Sequence, residues 1–492
     1  WACLPRFDGD PVFCALLGGE HSDQGDWAIE IEDFAEARQR YEPNTAVLVT
    51  ELWDVHGQGL QITDFAPRFA SRGRFFRPMQ IVRRVRALRG APRMRVRLTP
   101  RFDWGAQAPR ITSGSNHIRY VGEHLTLRLY TDAPVSHVLS GEPFLLMQEH
   151  NFLLGPDETL GDGVGETARR FEQETTAYWR GWTQRLALPL EWQDAVIRAA
   201  ITLKLSLFED TGAIVAAMTT SIPEAPDSQR NWDYRYCWLR DAFFVVRALN
   251  SLSEVGTMEE YLRWLHDVVR DADGGHIQPL YGIGLEKALP ERELAHLRGY
   301  RGMGPVRFGN QAHEHLQHDV YGHVVLGAAQ SFHDRRLFRR ADADDYARLE
   351  AVGERAWALH DQPDAGIWEL RTRARVHTSS ALMSWAACDR LAKIAPVVGR
   401  GDRARHWRER ADAIRARILQ EAWSECRRAF VESFGGEHLD ASVLLMAEVG
   451  FLDAQDPRFV ATVDALERHL CDGPYMRRYE AADDFGKPET AF

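Results

Sequence analysis

The chain has 492 residues, 45% of them hydrophobic and 27% charged, an ordinary globular balance with length for more than one core. The formal net charge of -11 is spread without a sustained run of either sign, which argues against a basic nucleic-acid surface. No apolar run approaches a membrane span, which argues against a membrane-spanning enzyme.

Up to about residue 160 the apolar period is two. Thr45–Asp54, a turn at His56–Gly59 and then Leu60–Phe65 read as strand, turn, strand. Met79–Ala87, Met94–Thr99 and Leu125–Tyr130 alternate likewise, with Met94, Val96 and Leu98 set against Arg93, Arg95 and Arg97. Such alternation predicts sheets with one buried face, and several of them in series predict a β-sandwich. From Glu166 the period becomes helical, and Glu166–Arg185 reads as a connecting helix. Helical spacing then marks 191–209, 238–254, 257–271, 315–332, 342–360, 378–395, 402–423, 439–449 and 457–470, with no strand expected among them. The expected organisation is an N-terminal β domain over 1–165, a helical linker over 166–190 and an all-α domain over 191–492.

Cys3, Cys14, Cys237, Cys388, Cys426 and Cys471 form no CxxC pair and no metal-ligand spacing. Scattered thiols of this kind are expected reduced in cores, which fits a cytoplasmic protein. Because Trp1 rather than Met comes first, a natural start is expected upstream.

Chemistry concentrates in three loops. Ser228–Ala242 (SQRNWDYRYCWLRDA) mixes Trp232, Tyr234, Tyr236 and Trp238 with Arg230, Arg235, Arg240 and Asp241. Aromatic faces stack on sugar rings while charged groups bond their hydroxyls, although the same mixture also builds packed interfaces. In Asp364–Leu370 (DAGIWEL), Glu369 stands beside Trp368, and a carboxyl against an indole gains a raised pKa suited to an acid, although a surface Glu beside a core Trp makes the same pair and does so more often. His377–Ser380 (HTSS) follows as the expected N-cap of the next helix. In Gly304–Gly322 the run HEHLQH lacks metal-protease spacing, so no metal is expected; Asn310, Gln317 and Asp319 suit supporting or hydroxyl-binding roles. Arg477 and Arg478 lie in a further polar loop, Tyr475–Phe492.

Taken in order, WACLPRFDGDPVFCALLGG, NWDYRYCWLRDA, GPVRFGN…HDVYG, DAGIWEL…HTSSALMSWAACDR and LDASVLL resemble glycoside hydrolase family 15, the glucoamylases, glucodextranases and some microbial trehalases. The resemblance spans essentially the whole chain. It implies an antiparallel β-sandwich followed by an (α/α)6 barrel with its pocket among the long loops. It implies Glu369 as general acid, Arg240 and Asp241 gripping the terminal glucose, Arg478 in the same subsite, and Trp238 and Trp368 lining the pocket. Inversion uses a second carboxylate about 6.5–9.5 Å from the first. In the family that base lies beyond the stretch matching PETAF, so it is expected after Phe492, with the barrel's C-terminal part missing from this chain; neither Glu480 nor Glu489 is nominated.

The expected activity is inverting exo-hydrolysis of α-glucosides of the glucoamylase type. A trehalase of the same family is the alternative, and a phosphorylase or a non-catalytic glucan-binding protein stands further off. The partner is an α-glucoside or trehalose, and no cofactor is required because side chains and water can move both protons.

Overall fold

The structure is a computed structural model that describes residues 1–19 and 24–487. Two compact units are present, Trp1–Leu205 with Leu297–Gly302, and Ser206–His296 with Met303–Phe492.

In the first unit the strands of the two larger sheets are β1 (Trp27–Ile31), β2 (Phe34–Tyr41), β3 (Leu48–Asp54), β4 (Gly59–Phe65), β5 (Ile81–Arg89), β6 (Arg93–Leu98), β7 (Arg110–Ser113), β8 (His117–Val121), β9 (Thr126–Thr131), β10 (Phe144–Leu145) and β11 (His150–Pro156). They form an eight-stranded sheet in the order β7-β8-β9-β11-β5-β4-β3-β2 and a three-stranded sheet in the order β10-β6-β1, every pair antiparallel. The alternation of β6 is realised, with Met94, Val96 and Leu98 buried and the three arginines exposed. Those residues and Ile29 and Ile31 of β1 share one core with Leu60, Ile62, Val85, Leu127, Leu129 and Phe152 of the larger sheet, so the two sheets face each other across it. The larger sheet buries its other face as well. Helix α1 (Val164–Thr183), the expected connecting helix, lays Val164, Ala168 and Phe171 against Phe65, Val82 and Leu153. Helix α2 (Gln193–Leu205) also counts with this unit, so the contact boundary falls at 205/206, after α2, whereas the sequence boundary at 190/191 falls before it. Strand β2 was not anticipated: all eight of its residues are exposed, and its sequence carries no apolar alternation.

The second unit is helical: α3 (Leu239–Ser251), α4 (Gly256–Ala272), α5 (Asp319–Ala329), α6 (Ala343–Leu359), α7 (Thr378–Ile394), α8 (Gly401–Glu421) and α9 (Pro457–Leu470). Helices α5 and α7 are buried around most of their circumference, whereas α4, α6 and α8 bury one stripe each. Inner helix packs on inner helix (α3 on α5, α5 on α7), and each is followed by an outer partner. The α5–α7 approach is close because Gly322 has no side chain: a Cβ there would lie 2.4 Å from the Met383 carbonyl. One expectation is corrected here. The loops hold short antiparallel ladders, such as Cys237–Trp238 with Leu280–Tyr281, too brief to leave a period. The N-cap of α7 is His377, without a side-chain cap; the Thr378 hydroxyl donates to the Val431 carbonyl and the Ser380 hydroxyl to Asp364.

Among the described residues no helix is long and apolar enough to cross a membrane.

Candidate active site

The stretch NWDYRYCW is extended, and its backbone pairs with the chain at 216–221 through bonds such as Ala217 N to the Tyr234 carbonyl, 2.8 Å. Extended chain sends alternate side chains to opposite sides. Asp233 and Arg235 turn inward, form a fully buried 2.8 Å ion pair, and gather the Tyr236 hydroxyl and the Gly309 N–H around Asp233. Trp232, Tyr234 and Trp238 turn the other way and line a cavity of about 550 Å3. Helix α3 then begins, placing Arg240 and Asp241 in its first turn on the same cavity.

The opposite wall is the loop after α6. Gly366 at φ +71° and Glu369 at φ +60° both take left-handed backbone. At Gly366 a Cβ would meet the His377 ring at 2.7 Å. A glutamate with positive φ is uncommon, and such outliers gather at functional sites. The loop is held from beneath by Gln317, which donates to the Gly366 carbonyl at 2.7 Å, and by Arg240 Nη1, which donates to the Ile367 carbonyl at 3.0 Å. Trp368 Nε1 donates to Asp440 at 2.7 Å, and burial pushes the Asp440 carboxyl up to about 6.

Glu369 Oε1 accepts from Trp238 Nε1 at 2.6 Å and from Arg240 Nη2 at 3.3 Å. Its side chain is 21% exposed, open to a ligand yet largely removed from bulk water. Burial raises its pKa above the ordinary glutamate value, against the opposing pull of Arg240 and the Trp238 bond. Asp241 lies 3.4 Å from Arg240 Nε. Arg478 sits over the Trp368 ring at 5.3 Å. Glu369, Arg240, Asp241, Trp238, Trp368 and Arg478, far apart in sequence, therefore line one cavity. Trp238 is 1% exposed, so it meets the cavity with little surface and serves chiefly as a donor to Glu369.

Other residues fall elsewhere. Arg477 turns toward Asp472 at 4.0 Å. Glu480 binds Arg427 at 3.0 Å and accepts from Leu439 N, away from the cavity lining. Glu489 lies outside the described residues. Asn310 lines the cavity while capping Ala312 N, and Asp319 is buried beside His323. Among the described residues no three His, Cys, Asp or Glu side chains form a metal-binding group.

Four lining residues carried no sequence signal. Glu224 accepts from the Tyr234 hydroxyl at 2.7 Å. Arg371 stacks on Trp232 at 4.5 Å and is gripped at both ends by Glu291. Asp483 pairs with Arg230, and Asp484 accepts from Arg371 N at 2.7 Å. A second cavity of about 620 Å3 beside α4 and α6 holds none of the motif residues.

Comparison with known proteins bears on this site. Residues 192–488 match the family model described as glycosyl hydrolases family 15, and residues 1–140 match one described as trehalase-like, N-terminal. The chain belongs to glycosyl hydrolase family 15. The proteins it is similar to include the trehalase of Thermoplasma volcanium, 30% identical over all of this chain and 79% of that protein. The trehalase of Mycolicibacterium smegmatis is 32% identical over 98% of this chain and 76% of that protein. In fold the chain is similar to a bacterial glucoamylase solved with acarbose, at a TM-score of 0.65 and 13% identity, over 91% of this chain and 72% of that one. As a family 15 member the protein is a glycoside hydrolase.

Proposed function

We propose that the chain is a trehalase-type inverting hydrolase that cleaves α,α-trehalose into two glucose molecules. The observation that carries this reading is the alignment of proteins named trehalase along essentially the full chain at about 30% identity. Glucoamylase-type hydrolysis, the first reading from sequence, has as its support a likeness of fold at 13% identity. A cavity of about 550 Å3 is within the range that encloses small ligands.

In this reading Glu369 is the general acid. Its burial raises the pKa and so favours the protonated carboxyl, the form that can protonate the glycosidic oxygen as the bond breaks. Trp238 and Arg240 fix the carboxyl and stabilise the carboxylate left behind. Arg240 and Asp241 grip hydroxyls of the deep glucose, Arg478 binds the same sugar, and Trp368 with Trp238 walls the site. Water attacks the opposite face under a second carboxylate about 6.5–9.5 Å away. The alternation of inner and outer helices from α3 to α8 supports an (α/α)6 barrel with this pocket at one end.

The test is glucose release from trehalose and from maltotriose, with anomers followed by proton NMR. Trehalose yielding one α- and one β-glucose is expected, with Glu369→Gln about 10²–10⁴-fold slower. Release from maltotriose alone refutes the trehalase reading, and near-full activity of Glu369→Gln refutes the mechanism.

A further inference from the structure

Glu224 lies in the loop between Thr220 and Asp233, two residues that bridge each other, and its N–H donates to the Arg230 carbonyl at 3.2 Å. Its side chain is 13% exposed and lines the cavity. Oε1 accepts from the Tyr234 hydroxyl at 2.7 Å and faces Arg478 Nη1 at 3.7 Å. Both neighbours lead onward. The Tyr234 ring packs 5.8 Å from Trp238, the donor to Glu369, and Arg478 covers Trp368, whose neighbour in the chain is Glu369 itself. Glu224 and Glu369 thus stand at two ends of one chain of contacts around the cavity. Oε1 takes the Tyr234 bond, and Oε2 accepts no hydrogen bond among the described residues.

A carboxylate so placed is well matched to a sugar hydroxyl, because an ionised acceptor makes a shorter and stronger bond than a neutral one. We propose that Glu224 is a sugar-binding residue: Oε2 accepts from a hydroxyl of the bound glucose unit while Oε1 orients the Tyr234 hydroxyl and the Arg478 guanidinium toward the same sugar. The inference rests on the reading of the site as a glucose site, and not on which glucoside is cleaved. Because the bond forms already in the ground state, its loss falls on binding rather than on turnover.

The test is Glu224→Gln, which keeps shape and removes charge, with Glu224→Asp as the conservative variant. KM is measured for trehalose, and the inhibition constant for glucose is measured alongside it. Glu224→Gln is expected to raise both by about 10- to 100-fold with kcat within a few-fold of the wild type, and Glu224→Asp to recover part of the loss. KM and the glucose constant both within twofold of the wild type overturn the proposal, whatever happens to kcat. Should Glu224→Gln fail to fold, Tyr234→Phe carries the test: it frees Oε1 from its donor, and an unchanged glucose constant overturns the proposal equally. A wild type that ignores trehalose and cleaves maltose refutes the trehalase reading alone, since the same comparison on maltose and glucose still judges Glu224.

Discussion

Replacing Trp238 by phenylalanine removes one N–H and keeps a ring in the same slot. That N–H donates to Glu369 at 2.6 Å and favours the ionised carboxylate, opposing the burial that raises the pKa of the acid. A hydrogen bond to a charged group contributes about 1.5–3 kcal/mol, and about 1.4 kcal/mol corresponds to one pKa unit. Arg240 remains 3.3 Å away and takes up part of the loss, so the expected shift is about one unit upward. A general acid works only while protonated, and activity falls as pH rises through its pKa. The alkaline limb of the profile of kcat/KM against pH should therefore move to higher pH in Trp238→Phe. Thermal unfolding of the variant checks that the smaller ring has not loosened a site where the indole is 1% exposed. A limb that stays in place or moves to lower pH refutes the assignment of that limb to Glu369 under Trp238.

Asp484→Ala removes the acceptor for Arg371 N and Thr372 N at 2.7 and 3.2 Å, just after Glu369, and should lower kcat about 10-fold with little change in melting temperature. Burial pushes Asp364 up to about 7, so the folded chain holds a proton that the unfolded chain releases above about pH 4. That stabilisation is complete at low pH and is lost as pH rises toward 7, by about 1.4 kcal/mol per unit; denaturant unfolding of Asp364→Asn at pH 5 and pH 7 should show a shallower decline than the wild type. Gly322→Ala forces a Cβ to within 2.4 Å of the Met383 carbonyl and should destabilise by about 3 kcal/mol or more, read as a drop in melting temperature.

What the sequence disclosed follows from where a physical period exists. The arginine–apolar alternation of β6 and the stripe of α1 are each repeated several times, so the buried faces could be read directly. Strand β2 is exposed on both sides and has no such pattern to show. The two-residue ladders end before a period can develop. In the site, Glu369 was legible because an indole adjoins it in sequence. Trp238 was legible as an aromatic near a sugar, but its role as donor depends on a loop 131 positions away. Glu224, Asp483 and Asp484 read as ordinary loop carboxylates, and their meaning comes from Tyr234, Arg230 and Arg371 brought beside them by folding. Arg235 was grouped with the sugar-binding mixture, yet it pairs with Asp233 in the interior, because extended backbone sends neighbours to opposite sides.

The left-handed backbone of Glu369 bears on how the protein can be engineered. At φ +60° an L-residue is strained by roughly 1–2 kcal/mol, which Gly avoids and Asn tolerates. The same position also keeps a carboxyl out of water. Folding alone therefore favours removing the acid. On the proposed reading of Glu369 as the general acid, a library screened on melting temperature would enrich Gly or Asn at position 369 and return robust proteins that turn substrate over far more slowly. Screens for hardier variants of this chain have to score heat resistance and glucose release in the same clone.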